Sequence, residues 1–369
     1  MKNSNSGRKA STALVCLGFF VLIFQGCTES VPPVKIAAIL SLTGPGSNSA
    51  GVREAMQMAV EEVNAQGGIS GHRILLIVQD SRSDPEAAIK IFQRLETEKH
   101  PDIYISGLSS ITLALSPLAE DRHVPLIGIV TSVPDVTKNR QWTFRFYFTS
   151  HAEAATAMNI AGKLNIKTLG MIYLNDPYGR SCFTLLKEKF DSNKWRLEGI
   201  AFNKKTVDFS PQIAYATKFP AIYMVGYVNH IRDFLPQLRT RGYQGAVIVA
   251  SGGANSNVRN LPEANNIYVA APALYNPQYV YARQLRQKFQ NRFQRELEHQ
   301  DAVGYDFIKL LAGLLNEIPV NRESIRTSLL QGFTFPCAVG NINVAPGSND
   351  IQFDLLPGVI NKGQIDYRF

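Results

Sequence analysis

The strongest constraint on this chain is a pattern that repeats through most of its length. A short continuous apolar run is followed by a stretch with apolar residues at helical spacing, then by another apolar run. Apolar runs fall at 34–40, 73–78, 102–106, 125–130, 168–173, 221–226, 246–250 and 267–271. Helical stretches lie at 51–65, from Pro85 onward, and at 111–121, 151–164, 178–191 and 229–241. In the first of these, Met56, Ala59, Val60 and Val63 share one face, and Gly67 and Gly68 stop it. A strand that is apolar on both faces needs cover on both, and alternation with helices supplies that around a parallel sheet. The pattern restarts after 144–149, so the chain is α/β with two such sets. Late helices are expected at 277–297, 301–316 and 322–330, with short strands from about Val339. The helices are expected to return to the first set and the tail to the second. Residues 34–147 plus about 276–335 would then form lobe 1, and 148–275 plus about 336–369 lobe 2. Several crossovers between the lobes would make a hinge.

Ahead of this pattern, residues 1–26 contain no acid. Lys2, Arg8 and Lys9 precede an almost wholly apolar run at 13–24. That run is shorter than the roughly 20 residues a membrane span needs, and it suits a signal-peptide core. It ends in Phe24-Gln25-Gly26-Cys27, which resembles a bacterial lipoprotein cleavage site. Cys27 is therefore the expected lipidation site, with residues 1–26 as the signal peptide. An ordinary cleaved signal with a chance cysteine is the alternative. Each buried lipid CH₂ contributes about 0.8 kcal/mol, so two or more acyl chains give a stable anchor. Loss of the three basic residues lowers the net charge from +8 to +5 over the remaining 343 residues.

That charge is mild. A nucleic-acid partner would call for a dense basic stripe, and none is present apart from one helix. There Leu285, Phe289, Phe293 and Leu297 mark a buried face, while Arg283, Arg286, Lys288, Arg292 and Arg295 are expected to form a solvated one. Hydrophobic residues at 45% and charged residues at 18% exclude a mainly disordered chain. Cys182 and Cys337 are expected to be small core residues, since no spacing rule links them.

No motif for an enzyme stands out: there is no G-x-S-x-G elbow, no phosphate loop of the Walker type and no H-E-x-x-H. The six histidines have no metal-ligand spacing, and no metal or cofactor is expected. Gly44-Pro45-Gly46 with Asp80 at the end of the next strand parallels a dinucleotide fingerprint, but Ser49 stands where its third glycine belongs. What remains is a set of strand ends rich in small and hydroxyl residues: Ser109-Ser110, Thr131-Ser132, Asp176-Pro177-Tyr178-Gly179, Gly226-Tyr227 and Ser251-Gly252-Gly253. Ligands of open parallel sheets sit at the carboxyl ends of strands. Ser109-Ser110 lies just before a helix, where free N–H groups favour a carboxylate. Tyrosines add a flat apolar wall with a polar tip.

Several segments then carry a resemblance: "EEVNAQGGISG", "DSRSDPEAAIK", "GLSSITLALSPLAEDRHVPLIGIVTSVPDV", "YLNDPYGR" and "YMVGY". From about Val34 to the C-terminus the chain resembles the type I periplasmic binding proteins, the branched-chain amino-acid (Leu/Ile/Val) binding family of ABC importers. The resemblance implies two doubly wound parallel-sheet lobes, joined by a multi-strand hinge, that close on a small molecule. It places a ligand carboxylate on Ser109 and Ser132, with Val130 offering its backbone, and ligand contacts on Tyr178 and Tyr227. Ser110, Thr131 and Ser251 complete the candidate ligand-binding set. The family carries an acid after the strand at 246–250 for a ligand ammonium, whereas this loop reads Ala250-Ser251-Gly252-Gly253-Ala254. A buried ammonium without a counter-charge is costly, so Asp176 or Asp306 would have to substitute. In the loop after Gly44, Asn48 and Ser49 are further candidates.

The expected function is a lipid-anchored solute-binding protein of the cell envelope, on the periplasmic or extracellular side. It would be a monomer that passes an amino-acid-like, amide or carboxylate ligand to an ABC permease. A ligand sensor, or a regulator of an envelope enzyme with the same fold, is the alternative. Thr28 after the lipid cysteine points toward an outer membrane, which suits those alternatives.

Overall fold

A computed structural model describes residues 1–2, 31–47 and 50–368. Cys27, residues 3–26 of the expected signal peptide, Asn48 and Ser49 lie outside the described residues. Among the described residues no helix is long and apolar enough to cross a membrane.

The compact unit Pro32–Phe369 contains two large sheets. In the first, β1 (Val34–Leu40) is buried along its length apart from a half-buried Lys35. It lies between β2 (Ile74–Asp80) and β3 (Ile103–Gly107), both parallel to it, with Ile36 level with Leu76 and Ile103. The strands β4 (Leu126–Ile129) and β5 (Thr143–Phe146) continue the parallel ladder. Around them run α1 (Ala50–Ala65), α2 (Pro85–Glu98) and α3 (Ser109–Arg122). In the second sheet, β6 (Thr168–Leu174) lies between β7 (Arg196–Phe202) and β8 (Ala221–Val225). Then come β9 (Ala246–Val249) and β10 (Ile267–Ala271), again parallel. Its helices are α4 (Ser150–Lys163), α5 (Pro177–Ser192), α6 (Ser210–Ala216), α7 (Val228–Thr240) and the short α8 (Ser256–Arg259).

The chain passes between the sheets three times. After β5 it enters the second sheet's elements through α4. After β10 it forms α9 (Val280–Phe293), α10 (His299–Leu314) and α11 (Arg322–Leu330), and α10 packs on α1. A hairpin of β11 (Phe333–Cys337) and β12 (Gly340–Val344) follows. The tail then divides: β13 (Asp350–Ile351) pairs in parallel with β5, while β14 (Leu356–Asn361) pairs antiparallel with β10 and β15 (Gln364–Asp366) with β14.

One feature departs from the sequence expectations. The helix expected to reach 297 ends at Phe293, where Gln294 turns left-handed with φ 55°. The cations expected to form a solvated face do so, with Arg283, Lys288 and Arg292 exposed and Arg286 and Arg295 half-buried, and several of them also pair with acids of α1 and α10. Lys288 pairs with Glu62 at 2.5 Å, Arg292 with Glu61 at 2.7 Å, and Arg295 with Glu54 at 2.5 Å and Asp301 at 3.2 Å. Cys182 and Cys337 are both buried and unbridged.

The crossings are tied by buried polar groups. Arg145 of β5 is fully buried; its Nε donates to Asp350 of β13 at 2.8 Å and its guanidinium to the Val133 carbonyl at 2.8 Å. Tyr147, Phe148 and Phe353 pack ring on ring. Beside them, the Tyr275 hydroxyl donates to Glu298 at 2.7 Å, so its oxygen is left to accept from His299 Nδ1 at 3.2 Å. His299 Nε2 then accepts from the Tyr147 hydroxyl at 3.0 Å.

Candidate functional site

The carboxyl ends of β3 and β4 form one wall of a cavity. Leu108, at the start of α3, has φ 72°, and Val130, just past β4, has φ 51°. Side chains rarely tolerate this left-handed region, and each such residue costs roughly 1–2 kcal/mol. Both residues line the cavity, so two strained backbone positions stand on its wall. Ser109 and Ser132 stand beside them, and the Ser132 N–H donates to Ser109 Oγ at 3.2 Å. That contact leaves the Ser109 hydroxyl proton free to donate. The Ser109 and Ser110 N–H groups at the start of α3 have no intrahelical acceptor either, whereas the Ile111 N–H donates to the Leu108 carbonyl at 3.1 Å. Behind the wall a buried hydroxyl chain braces it: Thr131 to Thr112 at 2.9 Å and Thr112 to Ser106 at 2.8 Å.

The second sheet supplies the facing wall through Tyr178, Gly226, Tyr227, Val228, Ser251 and Gly252. Asp176 organises both tyrosines. Its Oδ1 caps α5 by accepting the Gly179 N–H at 2.9 Å, and its Oδ2 accepts the Tyr227 hydroxyl at 2.6 Å. A Cβ on Gly179 would overlap the Leu174 carbonyl, so only glycine lets α5 start this close to β6. His230 fixes the other end of Tyr227: Nδ1 accepts the Tyr227 N–H at 3.2 Å, so Nε2 carries the proton given to the Lys204 carbonyl at 3.0 Å. Burial lowers the pKa of this imidazole and keeps it neutral.

Behind Tyr178 and Ser251 lies Glu153, in the first turn of α4 and fully buried. Its Oε1 accepts from Ser251 Oγ at 2.6 Å, the Ser251 N–H at 3.3 Å and the Tyr178 hydroxyl at 3.1 Å. Its Oε2 accepts from the Tyr223 hydroxyl at 3.1 Å. Burial raises the pKa of this carboxyl despite those donors. Gly46, Tyr147, Phe148 and Gln300 complete the lining, around free space of about 680 Å³ that is partly open to solvent. Among the described residues, no lysine, arginine, aspartate or glutamate stands on this wall. The arrangement offers hydrogen-bond donors and flat apolar surface to a molecule of modest size.

Comparison with known proteins decides what this cavity belongs to. A family model described as periplasmic binding protein matches residues 33–353. The chain belongs to the periplasmic binding protein family. Its relatives include the Leu/Ile/Val-binding protein of Escherichia coli K12, 24% identical over 66% of this chain and 68% of the relative. The leucine-specific-binding protein of Salmonella typhimurium is 24% identical over 73% of this chain and 74% of its own. Among solved structures, the branched-chain amino acid transporter substrate binding protein LivJ of Streptococcus pneumoniae, in complex with isoleucine, superposes with a TM-score of 0.82. It is 20% identical and covers 90% of this chain and 98% of its own. A solute binding protein of an ABC transporter from Rhodopseudomonas palustris BisB5, in complex with 3,4-dihydroxybenzoic acid, has a TM-score of 0.81. It is 18% identical over 90% of this chain and 95% of its own. These neighbours share the α/β fold with two parallel-sheet lobes.

In this periplasmic binding protein the residues singled out from sequence do not all meet. Ser109, Val130, Ser132, Tyr178, Tyr227 and Ser251 lie on the cavity wall. Ser110 and Thr131 do not: the Ser110 hydroxyl is buried without a partner, and Thr131 belongs to the bracing chain. Neither candidate for the missing acid is available. Both oxygens of Asp176 are engaged, and Asp306 lies away from the cavity, accepting the Ala338 N–H at 2.8 Å. Asp80 holds the loop after β1, accepting from the Leu42 N–H at 3.0 Å and Thr43 Oγ1 at 2.6 Å. Glu153 and Gln300 were missed. The signal for Glu153 was an acid sharing a helix face with Ala157, Ile160 and Ala161.

Proposed function

We propose that this periplasmic binding protein captures a small organic ligand bearing a carboxylate or amide between its lobes and hands it to an ABC importer, without performing chemistry on it. The observation that carries this reading is the wall formed by Leu108, Ser109, Val130 and Ser132. It is a strained helix N-terminus with hydroxyl donors and no cation, facing the rings of Tyr178 and Tyr227 across the cavity. A carboxylate is held there by N–H groups and hydroxyls, and the ligand's apolar body lies against the tyrosines. Lobe 1 is taken as 34–147 plus about 276–335 and lobe 2 as 148–275 plus about 336–369, with the short strand β13 lent to the first sheet. Ligand contacts from both lobes favour the closed form, which the permease would read. The chain works as a monomer, held at the envelope surface by a lipid on Cys27.

A thermal-shift screen of residues 28–369 against amino acids, amides, aromatic acids and dicarboxylates tests capture. A ligand at 100 times its Kd should stabilise by about 2.7 kcal/mol. Tyr178→Ala and Tyr227→Ala should weaken any hit, and full affinity in both variants would sink the site assignment. Cys27→Ser should move the protein from the membrane fraction to the soluble one.

A further inference from the structure

Among the described side chains that line the cavity, one carries a buried acceptor that the protein leaves unmet. Gln300 sits in the first turn of α10, is only 7% exposed and lines the cavity. Its Oε1 is buried with no hydrogen-bond partner. Buried amide oxygens are almost always paired, and leaving one unpaired costs free energy. A second polar site beyond the α3 N-terminus is therefore built into the lining.

The acids near the cavity are in the opposite condition. Glu153 has three donors on one oxygen and one on the other, and it stands behind Ser251 rather than on the wall. Asp176 gives one oxygen to the Gly179 N–H and the other to Tyr227. A ligand inside thus meets a neutral acceptor and no free anion.

We infer that Gln300 sets the ligand class: a small carboxylate whose second polar group is a neutral donor, a hydroxyl or amide N–H, rather than an α-ammonium. This rests on the carboxylate-capture reading above. An ammonium leaving water needs a counter-charge, which this lining does not offer. A hydroxyl or amide N–H needs one acceptor, and Gln300 Oε1 is that acceptor. Burial also favours the protonated form of Glu153, which further weakens it as a partner for a cation.

The test uses the full chain in detergent and isothermal titration with matched probes. One set shares a carbon skeleton: 4-methylpentanoate, 2-hydroxy-4-methylpentanoate, 2-oxo-4-methylpentanoate and leucine. A second places the donor at the far end: benzoate, 4-hydroxybenzoate and 4-carbamoylbenzoate. A hydroxyl or amide member should bind at least about tenfold tighter than its unsubstituted parent, and leucine no tighter than 4-methylpentanoate. Gln300→Met should erase the donor's gain, read within the variant as the ratio of the donor acid's affinity to that of its unsubstituted parent. Gln300→Glu should move the preference toward leucine. The inference is overturned if leucine or the 2-oxo acid binds tightest, or if the preference for a donor survives Gln300→Met. If no carboxylate of either set binds the unaltered protein, carboxylate capture itself fails, and that result is distinct from binding with the wrong preference.

Discussion

Glu153, Asp306 and His299 are fully buried, and burial acts on each toward its neutral form. Asp306 is pushed up to about 8 from 3.8, and His299 down to about 3 from 6.5. The sign of each consequence follows from where protons sit. Between about pH 4 and 8 the folded Asp306 keeps a proton that the unfolded chain has released, so this group's contribution to stability falls as pH rises. Asp306→Asn should flatten that part of the profile, which urea unfolding at pH 5 and pH 8 would reveal. An unchanged difference between the two pH values would refute it. His299 works in reverse: below about pH 6.5 the unfolded chain takes up a proton that the folded imidazole refuses, so stability is lost on acidification toward pH 3. At Asp176 the issue is pairing. Tyr227→Phe keeps the ring on the cavity wall but strips Oδ2 of its donor, and should cost about 1–3 kcal/mol in denaturant unfolding. The cavity's hydroxyl wall was legible in sequence because serines follow apolar strands of a parallel sheet. Glu153 was not, because an acid in the first turn of a helix ordinarily complements the helix dipole at the surface.

At the level of elements, the pairing of α1 with α10 depends on one small residue. A Cβ on Gly304 would come within 2.8 Å of Met56 Cγ and 3.0 Å of Val52 Cγ1. Alanine is the better helix former by about 1 kcal/mol, yet overpacking typically costs about 1–3 kcal/mol. Gly304→Ala should therefore lower the melting temperature, and a rise would show that the two helices can part cheaply. The strands most easily found in the sequence were those with uninterrupted apolar runs, such as β8 and β9. Others were hidden for identifiable reasons. In β5 a buried arginine interrupts the run, and its burial is intelligible only once Asp350 is beside it. In β7, an edge strand, Arg196, Glu198 and Gly199 break the apolar pattern because only part of it is covered. The helix α6 is seven residues long, too short to show a period. The end of α9 was misplaced because Leu297 keeps the spacing of Phe289 and Phe293, although the left-handed turn at Gln294 has already redirected the chain.

For the whole molecule, three passages of the chain hold the lobes together, and the Arg145–Asp350 pair ties the last strand of the first sheet to it. Arg145 is fully buried while the Asp350 side chain is partly exposed. Removing the acid therefore strands a cation without its partner, whereas most exposed pairs matter little. Asp350→Asn should cost about 3–5 kcal/mol, measured by chemical denaturation. A loss under about 1 kcal/mol would place the pair among the exposed kind. The same pair orders events in time. A ribosome makes Arg145 some 205 residues before its counter-charge. Until then β5 has an arginine with nowhere favourable to be buried, and closing so long a loop is slow. The first half of the chain is therefore kept from locking early, and the two halves complete their folding together once the C-terminal residues are in hand.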